Sequence, residues 1–113
     1  MTAPSVPGGQ TGPAVVERVR VQVADRLTTD LRDLANKAGW PSQLVSQLTT
    51  VWTGMTWEVR IPNGVRSAVD ALEYGTQTVG PNPVIRRFTA RMGPLAERAA
   101  ALALVNLGAE VLA

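Results

Sequence analysis

The sequence predicts an α+β fold that consists of a long N-terminal helix, a short antiparallel sheet or hairpin, and a long C-terminal helix. Apolar residues recur every three or four positions through the first third of the chain, apolar and polar residues alternate in the middle, and residues 99–113 are apolar almost throughout. The 113 residues are enough for one small domain. We therefore predict a single α+β domain over residues 13–113, preceded by residues 1–12 as a flexible N-terminal arm.

The first element after the arm is a long amphipathic helix. Residues 1–12 are rich in proline and glycine and have little to bury, which is typical of an arm. Pro13 suits a first helical turn, and Gly39 followed by Pro41 suits a stop. Trp40 is expected to fold back into the core beside the last turn. The apolar stripe consists of Val16, Val19, Val23, Leu27, Leu31, Leu34 and Ala38.

A hairpin follows, after a short helical turn that Ser42 is expected to cap. Met55, Trp57, Val59 and Ile61 alternate with polar residues, which is typical of a half-buried strand. Val51–Trp52 is expected to end the partner strand, ahead of a turn at Thr53–Gly54. Two strands alone do not make a stable sheet, so they must lie on the helices or pair with strands of a neighbour.

The last third holds a short ambiguous segment, a loop and the final helix. Val65–Tyr74 fits a helix or a strand, and the helix fits better. Gly75–Pro83 is predicted to be a loop, with Asn82–Pro83 as the cap and first turn of the final helix. Gly93–Pro94 is expected to break or kink that helix. The helix is apolar around most of its circumference, and burial between subunits would cover the excess.

Composition excludes most catalytic chemistry. The chain has no cysteine and no histidine, so thiol nucleophiles, Ser-His arrangements and Cys/His metal sites are impossible within it. The nine carboxylates are scattered, and we expect no enzymatic activity, no metal and no organic cofactor. No signal-peptide pattern is visible, and the apolar tract 99–113 is too short to span a bilayer. The expected location is therefore the cytoplasm, without membrane attachment.

Two short motifs of this sequence resemble those of a known protein family. Leu72–Thr76 (Leu-Glu-Tyr-Gly-Thr), followed by Pro81–Phe88 (Pro-Asn-Pro-Val-Ile-Arg-Arg-Phe), resembles the Glu-aromatic-Gly-Thr … Pro-x-hydrophobic-Arg signature of neck or tail-completion proteins of long-tailed bacteriophages. Gly39–Pro41 and Leu44–Trp52 are similar to members from phages of actinobacteria. The likeness thus extends over roughly residues 14–92.

The resemblance implies a structural virion protein of the head–tail connector, without enzymatic activity. Such a protein assembles with copies of itself into a ring, expected to be hexameric, that joins the capsid portal complex to the tail tube. Its other partners would be connector and tail proteins, and genomic DNA would pass through the ring without sequence-specific binding. Its place would be the head–tail junction of the virion, and the host cytoplasm during assembly.

One departure from the family pattern leaves the ring position open. A Pro-x-x-Thr-Gly-x-Leu segment often stands between the first helix and the sheet, and this chain has Trp40–Ser42 (Trp-Pro-Ser) near that place instead. The alternative within the same class is a tail terminator that caps the tail tube.

The segment that carries the two motifs is the predicted subunit interface. Glycine and proline stiffen the loop, apolar and aromatic side chains supply anchors, and charged side chains fix the register. Alternatively, the Gly-Thr and Pro-Asn-Pro sequences only form turns between elements of secondary structure and have no role in binding. The predicted interface residues are Leu72, Glu73, Tyr74, Gly75, Thr76, Val79, Pro81, Asn82, Pro83, Ile85, Arg86 and Arg87.

A function of a different class rests on the arginines of the final helix. Arg87, Arg91 and Arg98 fall on one helix face and could follow DNA phosphates, line a lumen that DNA traverses, or simply be solvated. The runner-up prediction is therefore a small arginine-bearing nucleic-acid-binding protein. The net charge of +2 is modest for that function.

Overall fold

The computed structural model describes residues 12–112, with side chains described for residues 14–108. It has the predicted α+β architecture. In chain order the elements are α1 (Gly12–Lys37), α2 (Ser42–Val45), β1 (Thr49–Trp52), β2 (Trp57–Arg60), a 3-10 turn (Asn63–Val65), α3 (Arg66–Tyr74) and α4 (Ile85–Leu112). The predicted N-terminal arm, except Gly12, lies outside the described residues.

Helix α1 supplies one side of the core. Its buried side chains repeat at helical spacing and are Val23, Leu27, Leu31 and Ala35. The predicted stripe is therefore confirmed in its central part, whereas Val16 near the start of the helix is 54% exposed. Trp40 is buried at 3% exposure, as predicted. Its indole Nε1 donates a hydrogen bond to the Asn82 carbonyl at 3.1 Å, which ties the end of α1 to the loop before α4.

The hairpin is present and lies on the helices. Strands β1 and β2 are antiparallel, with Thr50 opposite Val59 and Trp52 opposite Trp57. Met55 was predicted to belong to the alternating strand, but it lies in the turn and is 89% exposed. The inward-facing Thr50 donates its hydroxyl to the Ala24 carbonyl and its N–H to the Thr28 hydroxyl, which fixes β1 against α1.

Two local predictions about the short helices have different outcomes. The ambiguous segment is helical, because α3 spans Arg66–Tyr74. The Ser42 prediction is wrong, because Ser42 is the first residue of α2 and makes no side-chain cap. The carbonyl of Pro41 instead accepts hydrogen bonds from the N–H groups of Leu44 and Val45 at 3.0 Å, so the first turn closes without a side-chain cap.

A break or a kink was predicted at Gly93–Pro94; helix α4 is continuous through both residues, so there is no break. A proline inside a helix removes one backbone hydrogen bond to the carbonyl four residues earlier, here that of Ala90. Ala90 and Pro94 are both exposed, so water can solvate the freed carbonyl. On the opposite side Met92 and Ala96 are buried in the core, and this packing holds the helix together across the proline.

Helices α1 and α4 pack antiparallel and enclose most of the core. Leu34 near the end of α1 lines a groove with Phe88 near the start of α4, whereas Val16 lines one with Ala100. The hairpin covers one side of this pair. The N-terminal end of α4, the end of α1 and α3 therefore meet in one region, which contains the predicted interface segment.

Candidate assembly interface

The first turn of α4 is capped by the carboxylate of Glu73, from the end of α3. The first hydrogen bond of the helix runs from the Phe88 N–H to the Val84 carbonyl, so the preceding N–H groups have no acceptor within the helix. Glu73 Oε1 accepts the N–H groups of Val84 and Ile85 at 2.8 Å, and Oε2 accepts that of Arg86 at 2.9 Å. Glu73 is only 2% exposed. A buried negative charge thus lies where the helix dipole favours it.

This arrangement replaces the predicted local cap at Asn82–Pro83. The Asn82 side chain does not cap α4, because its amide nitrogen Nδ2 donates to the Ala38 carbonyl at 2.8 Å. Its backbone N–H donates to the Leu72 carbonyl at 2.7 Å. Asn82 therefore links the end of α1 to the end of α3, and the cap comes from a residue of another helix.

Arg86 closes the outer side of the Glu73 site. Its Nε donates to Glu73 Oε2 at 2.9 Å, and its Nη2 donates to the Glu73 carbonyl at 2.7 Å. The guanidinium carbon also lies 4.6 Å from the centre of the Tyr74 ring, at cation–π distance. Because the Arg86 side chain remains 52% exposed, it forms a boundary between the buried carboxylate and solvent.

The pKa of Glu73 lies below its ordinary value. Burial by itself raises the pKa, because it disfavours the charged form. The hydrogen bonds from the backbone N–H groups of Arg86, Val84 and Ile85 and from the Arg86 side chain outweigh burial, and the net pKa is lowered. Glu73 is consequently ionised at neutral pH, and its charge stabilises the fold.

The loop between α3 and α4 is held in one conformation by the close approach of its backbone at Gly75 and by the hydrogen bonds of Thr76. Gly75 has φ +81°, and a Cβ at this position would lie 2.8 Å from the Pro81 nitrogen and from the Val79 oxygen. The Thr76 N–H donates to the Val79 carbonyl at 2.8 Å. The Thr76 hydroxyl accepts the N–H groups of Thr78 at 3.3 Å and Val79 at 3.1 Å. Glycine is required here because the following turn folds directly back on it.

The predicted interface residues differ in exposure: some present their side chains to solvent, and others are half-buried or buried beneath them. Tyr74 and Val79 are 61% and 62% exposed and present apolar surface. Others form the scaffold beneath: Glu73 is buried, and its carboxylate, which we expected to fix register between subunits, is used inside the chain. The exposed members are Tyr74, Thr76, Val79, Pro81, Arg86 and Arg87, and the half-buried members are Leu72, Gly75, Asn82, Pro83 and Ile85.

The three arginines of the DNA-binding alternative are all exposed on α4. Arg91 lines a groove together with Asp30 and Asp33 of α1. Arg98 lines a second groove, again with Asp30. Across residues 14–108 no ion pair involves Arg87, Arg91 or Arg98. The positive potential of Arg91 and Arg98 is nevertheless reduced by the aspartates across the grooves.

Two further observations concern metal binding and membrane-spanning helices. Within the described part of the chain, no group of three or more acidic side chains is placed to hold a metal ion. Over the same residues, no helix is both long and apolar enough to cross a membrane.

Sequence reasoning missed the role of Glu73 as a cap. Glu73 lies eleven residues before Val84, the first residue whose N–H it accepts, and no rule of local spacing predicts a cap at that distance. Only the family resemblance drew attention to Glu73. Comparison of the chain with protein-family models, with curated proteins and with solved structures finds no match.

Proposed function

We propose that this chain is a structural virion protein of the head–tail connector of a long-tailed bacteriophage, either a neck or a tail-completion protein. In this proposal copies of the chain assemble into a ring, expected to be hexameric, that joins the portal complex to the tail tube. The chain would occupy the head–tail junction of the virion after assembly in the host cytoplasm. It performs no catalysis, and its partners are its own copies and other connector and tail proteins.

The observation that carries the proposal is an exposed apolar pair on a rigid scaffold. Tyr74 and Val79 flank the Gly75 turn and are each more than half exposed. The turn beneath them is fixed by Glu73, Thr76 and Asn82, so docking would cost little conformational entropy. Exposed aromatic residues on a preformed surface are typical anchors of protein interfaces.

The far half of α4 gives independent support for assembly. Leu102, Leu104 and Val105 are 53%, 54% and 66% exposed, although each is large and apolar. Apolar residues exposed close together on one helix mark surfaces that associate with other proteins. A ring neighbour would cover this part of the helix.

Tyr74→Ala tests the proposal. We expect association of the subunit to weaken by about 1–3 kcal/mol, because truncating an aromatic anchor has this effect at interfaces. Thermal unfolding of the isolated subunit should change little, since the ring is exposed. Incorporation into particles, measured by quantitative mass spectrometry, should fall.

The matched control is Val21→Ala, which truncates another exposed apolar side chain, 51% exposed on α1 and remote from the segment. The control should be incorporated normally. Normal incorporation of Tyr74→Ala with full infectivity would contradict the proposed interface. Immunoelectron microscopy of intact particles tests the wider proposal, because label away from the junction contradicts it.

Within the same class, a tail terminator would use the same chemistry at a different position. The discriminating observation is the particle on which the protein is found. A terminator occurs on tails purified before they join capsids, whereas a neck protein occurs on filled capsids that lack tails.

The alternative of a different class is a small DNA-binding protein, favoured by the exposed arginines of α4. If Arg87, Arg91 and Arg98 each contact a phosphate, log K for duplex DNA should fall against log salt with a slope of about −2.7. Asp30 and Asp33 in the adjoining groove oppose such binding. A salt-dependent affinity that Arg87→Gln, Arg91→Gln and Arg98→Gln together abolish would favour this alternative over the ring.

A further inference from the structure

Among residues 12–112, no strand pairs with the outer edge of β2. The sheet has only the two strands β1 and β2 in the described residues. The other edge of the sheet, on β1, is covered by α1: the Thr28 hydroxyl accepts the Thr50 N–H, and Arg32 donates to the Leu48 carbonyl. Among the described residues no helix side chain makes a comparable hydrogen bond to the β2 edge, although α4 contacts β2. An uncovered strand edge is a template for pairing with another chain.

The register of the hairpin shows which backbone groups face this edge. In an antiparallel pair, successive residues point their N–H and C=O groups alternately toward the partner strand and away from it. The Thr50 N–H points away from β2, because it bonds to Thr28. The Thr53 N–H bonds to the Thr56 carbonyl, which agrees with the same alternation. Val59, opposite Thr50, therefore directs its N–H and C=O toward the open edge.

The side chains of β2 distinguish its two faces. Trp57 and Val59 are half-buried on the side of the helices, whereas Glu58 and Arg60 are exposed on the other side. Within the chain, Glu58 is opposite Val51 and Arg60 is opposite Thr49, so neither charge has a charged partner across the hairpin. The exposed face of β2 thus carries one negative and one positive charge, two residues apart.

We propose that two copies of this chain pair through their β2 edges, antiparallel and about a two-fold axis at Val59. The proposal goes beyond the ring, because a two-fold contact closes at two copies. It also uses a surface separate from residues 72–87. In this register Val59 is opposite its own copy and exchanges two backbone hydrogen bonds with it, and the two hairpins form a four-stranded sheet.

Charge complementarity selects this register and the second copy as the occupant. With Val59 opposite Val59, Glu58 of each chain is opposite Arg60 of the other, and opposite charges facing each other across strands are stabilising. In the two nearest registers in which the outward N–H and C=O groups of both strands still face each other, Glu58 is opposite Glu58 or Arg60 is opposite Arg60. Both are repulsive, so among these three registers only the one centred on Val59 places opposite charges across the strands.

The test uses charge reversal, measured by analytical ultracentrifugation in a Tyr74→Ala background, in which ring assembly is weakened. Glu58→Arg and Arg60→Glu should each weaken self-association about tenfold or more, because each creates two like-charge pairs across the axis. An equimolar mixture of the two variants should associate again, since all four charges then face opposite charges. The variant that carries both reversals should dimerise like the starting chain.

Unchanged thermal unfolding of all variants is the control for folding. A starting chain that stays monomeric at every soluble concentration, or a dimer that neither reversal weakens, overturns the proposal. A dimer that both reversals weaken but that the mixture does not restore overturns the register. Glu58 and Arg60 would then act as charges that protect the edge from pairing.

A second measurement does not depend on mutations of the charges. Amide hydrogen exchange at Val59 should slow as the protein concentration rises, whereas exchange at Glu58, whose N–H faces β1, should not change. Equal concentration dependence at both amides, or none at Val59, would contradict the pairing. Tyr74→Ala should leave this protection intact, which separates the outcome from that of the ring.

Discussion

The two ends of helix α4 are stabilised in different ways. At its start, a buried carboxylate, an arginine and an asparagine make individual hydrogen bonds that fix α1, α3 and α4 relative to one another. In its far half, the buried positions are mostly small residues such as Ala96, Ala99 and Ala103, while the larger Leu102, Leu104 and Val105 remain exposed. The start of α4 is thus a self-contained polar junction, whereas the far half leaves apolar surface for a partner.

This difference separates two roles within the resemblance motif. Glu73, Gly75 and Asn82 hold the junction together, and a variant of any of them should damage the fold first. The Tyr74 ring contacts Arg86 on the solvent side of the junction and the Val79 side chain is exposed, so a variant of either should damage association first.

The largest expected effect is that of Glu73→Gln. An amide carries no charge and replaces one acceptor oxygen by an NH2 group, so the N–H groups that this oxygen accepted lose their acceptor. We expect a loss of about 3 kcal/mol of unfolding free energy at pH 7. Urea unfolding measures it. Glu97→Gln, the same change at an exposed site of the same helix, is the control and should have little effect.

The stabilisation by Glu73 should also depend on pH. Because its folded-state pKa lies below the ordinary value of 4.5, this stabilisation is present above that value and is lost as pH falls through the folded-state pKa. The difference in unfolding free energy between the natural chain and Glu73→Gln should therefore shrink in acid. A difference that stays constant from neutral pH to pH values well below 4.5 would show that Glu73 does not act through its charge.

Gly75→Ala should have the next largest effect, about 2 kcal/mol of destabilisation. The added Cβ would meet the backbone of Val79 and Pro81 at 2.8 Å, and the positive φ is strained for alanine. Gly80→Ala, in the same loop but with open space around it, serves as the control. Similar thermal stabilities of the two variants would mean that the turn is not constrained at Gly75.

The smallest effects concern the far half of α4. Ala103 is 2% exposed, so Ala103→Leu should overpack its surroundings and cost about 1–2 kcal/mol. The adjacent Leu104→Ala should change stability by less than about 0.5 kcal/mol, because Leu104 is already exposed. A large loss of subunit stability with Leu104→Ala would place this leucine in the core of the chain and remove the support it gives to assembly.

Local sequence patterns determined most of the elements of this protein. The stripe of α1, the alternation of β2 and the proline and glycine positions around Trp40 are local signals, and each corresponds to an element of the fold. Local rules were less reliable at helix starts. Ser42 and Asn82 have suitable cap chemistry, yet neither caps a helix, because other acceptors satisfy the N–H groups.

Only the tertiary structure decided which residues of the Glu-Tyr-Gly-Thr motif face inward. Glu73 and Tyr74 are adjacent in sequence, but one is 2% and the other 61% exposed. The fold brings the start of α4 against the end of α3, and the unpaired N–H groups there attract the carboxylate. Continuity of α4 through Pro94 was likewise decided by packing, since burial of Met92 and Ala96 compensates for one missing hydrogen bond. The sequence rule for proline considers only that missing hydrogen bond.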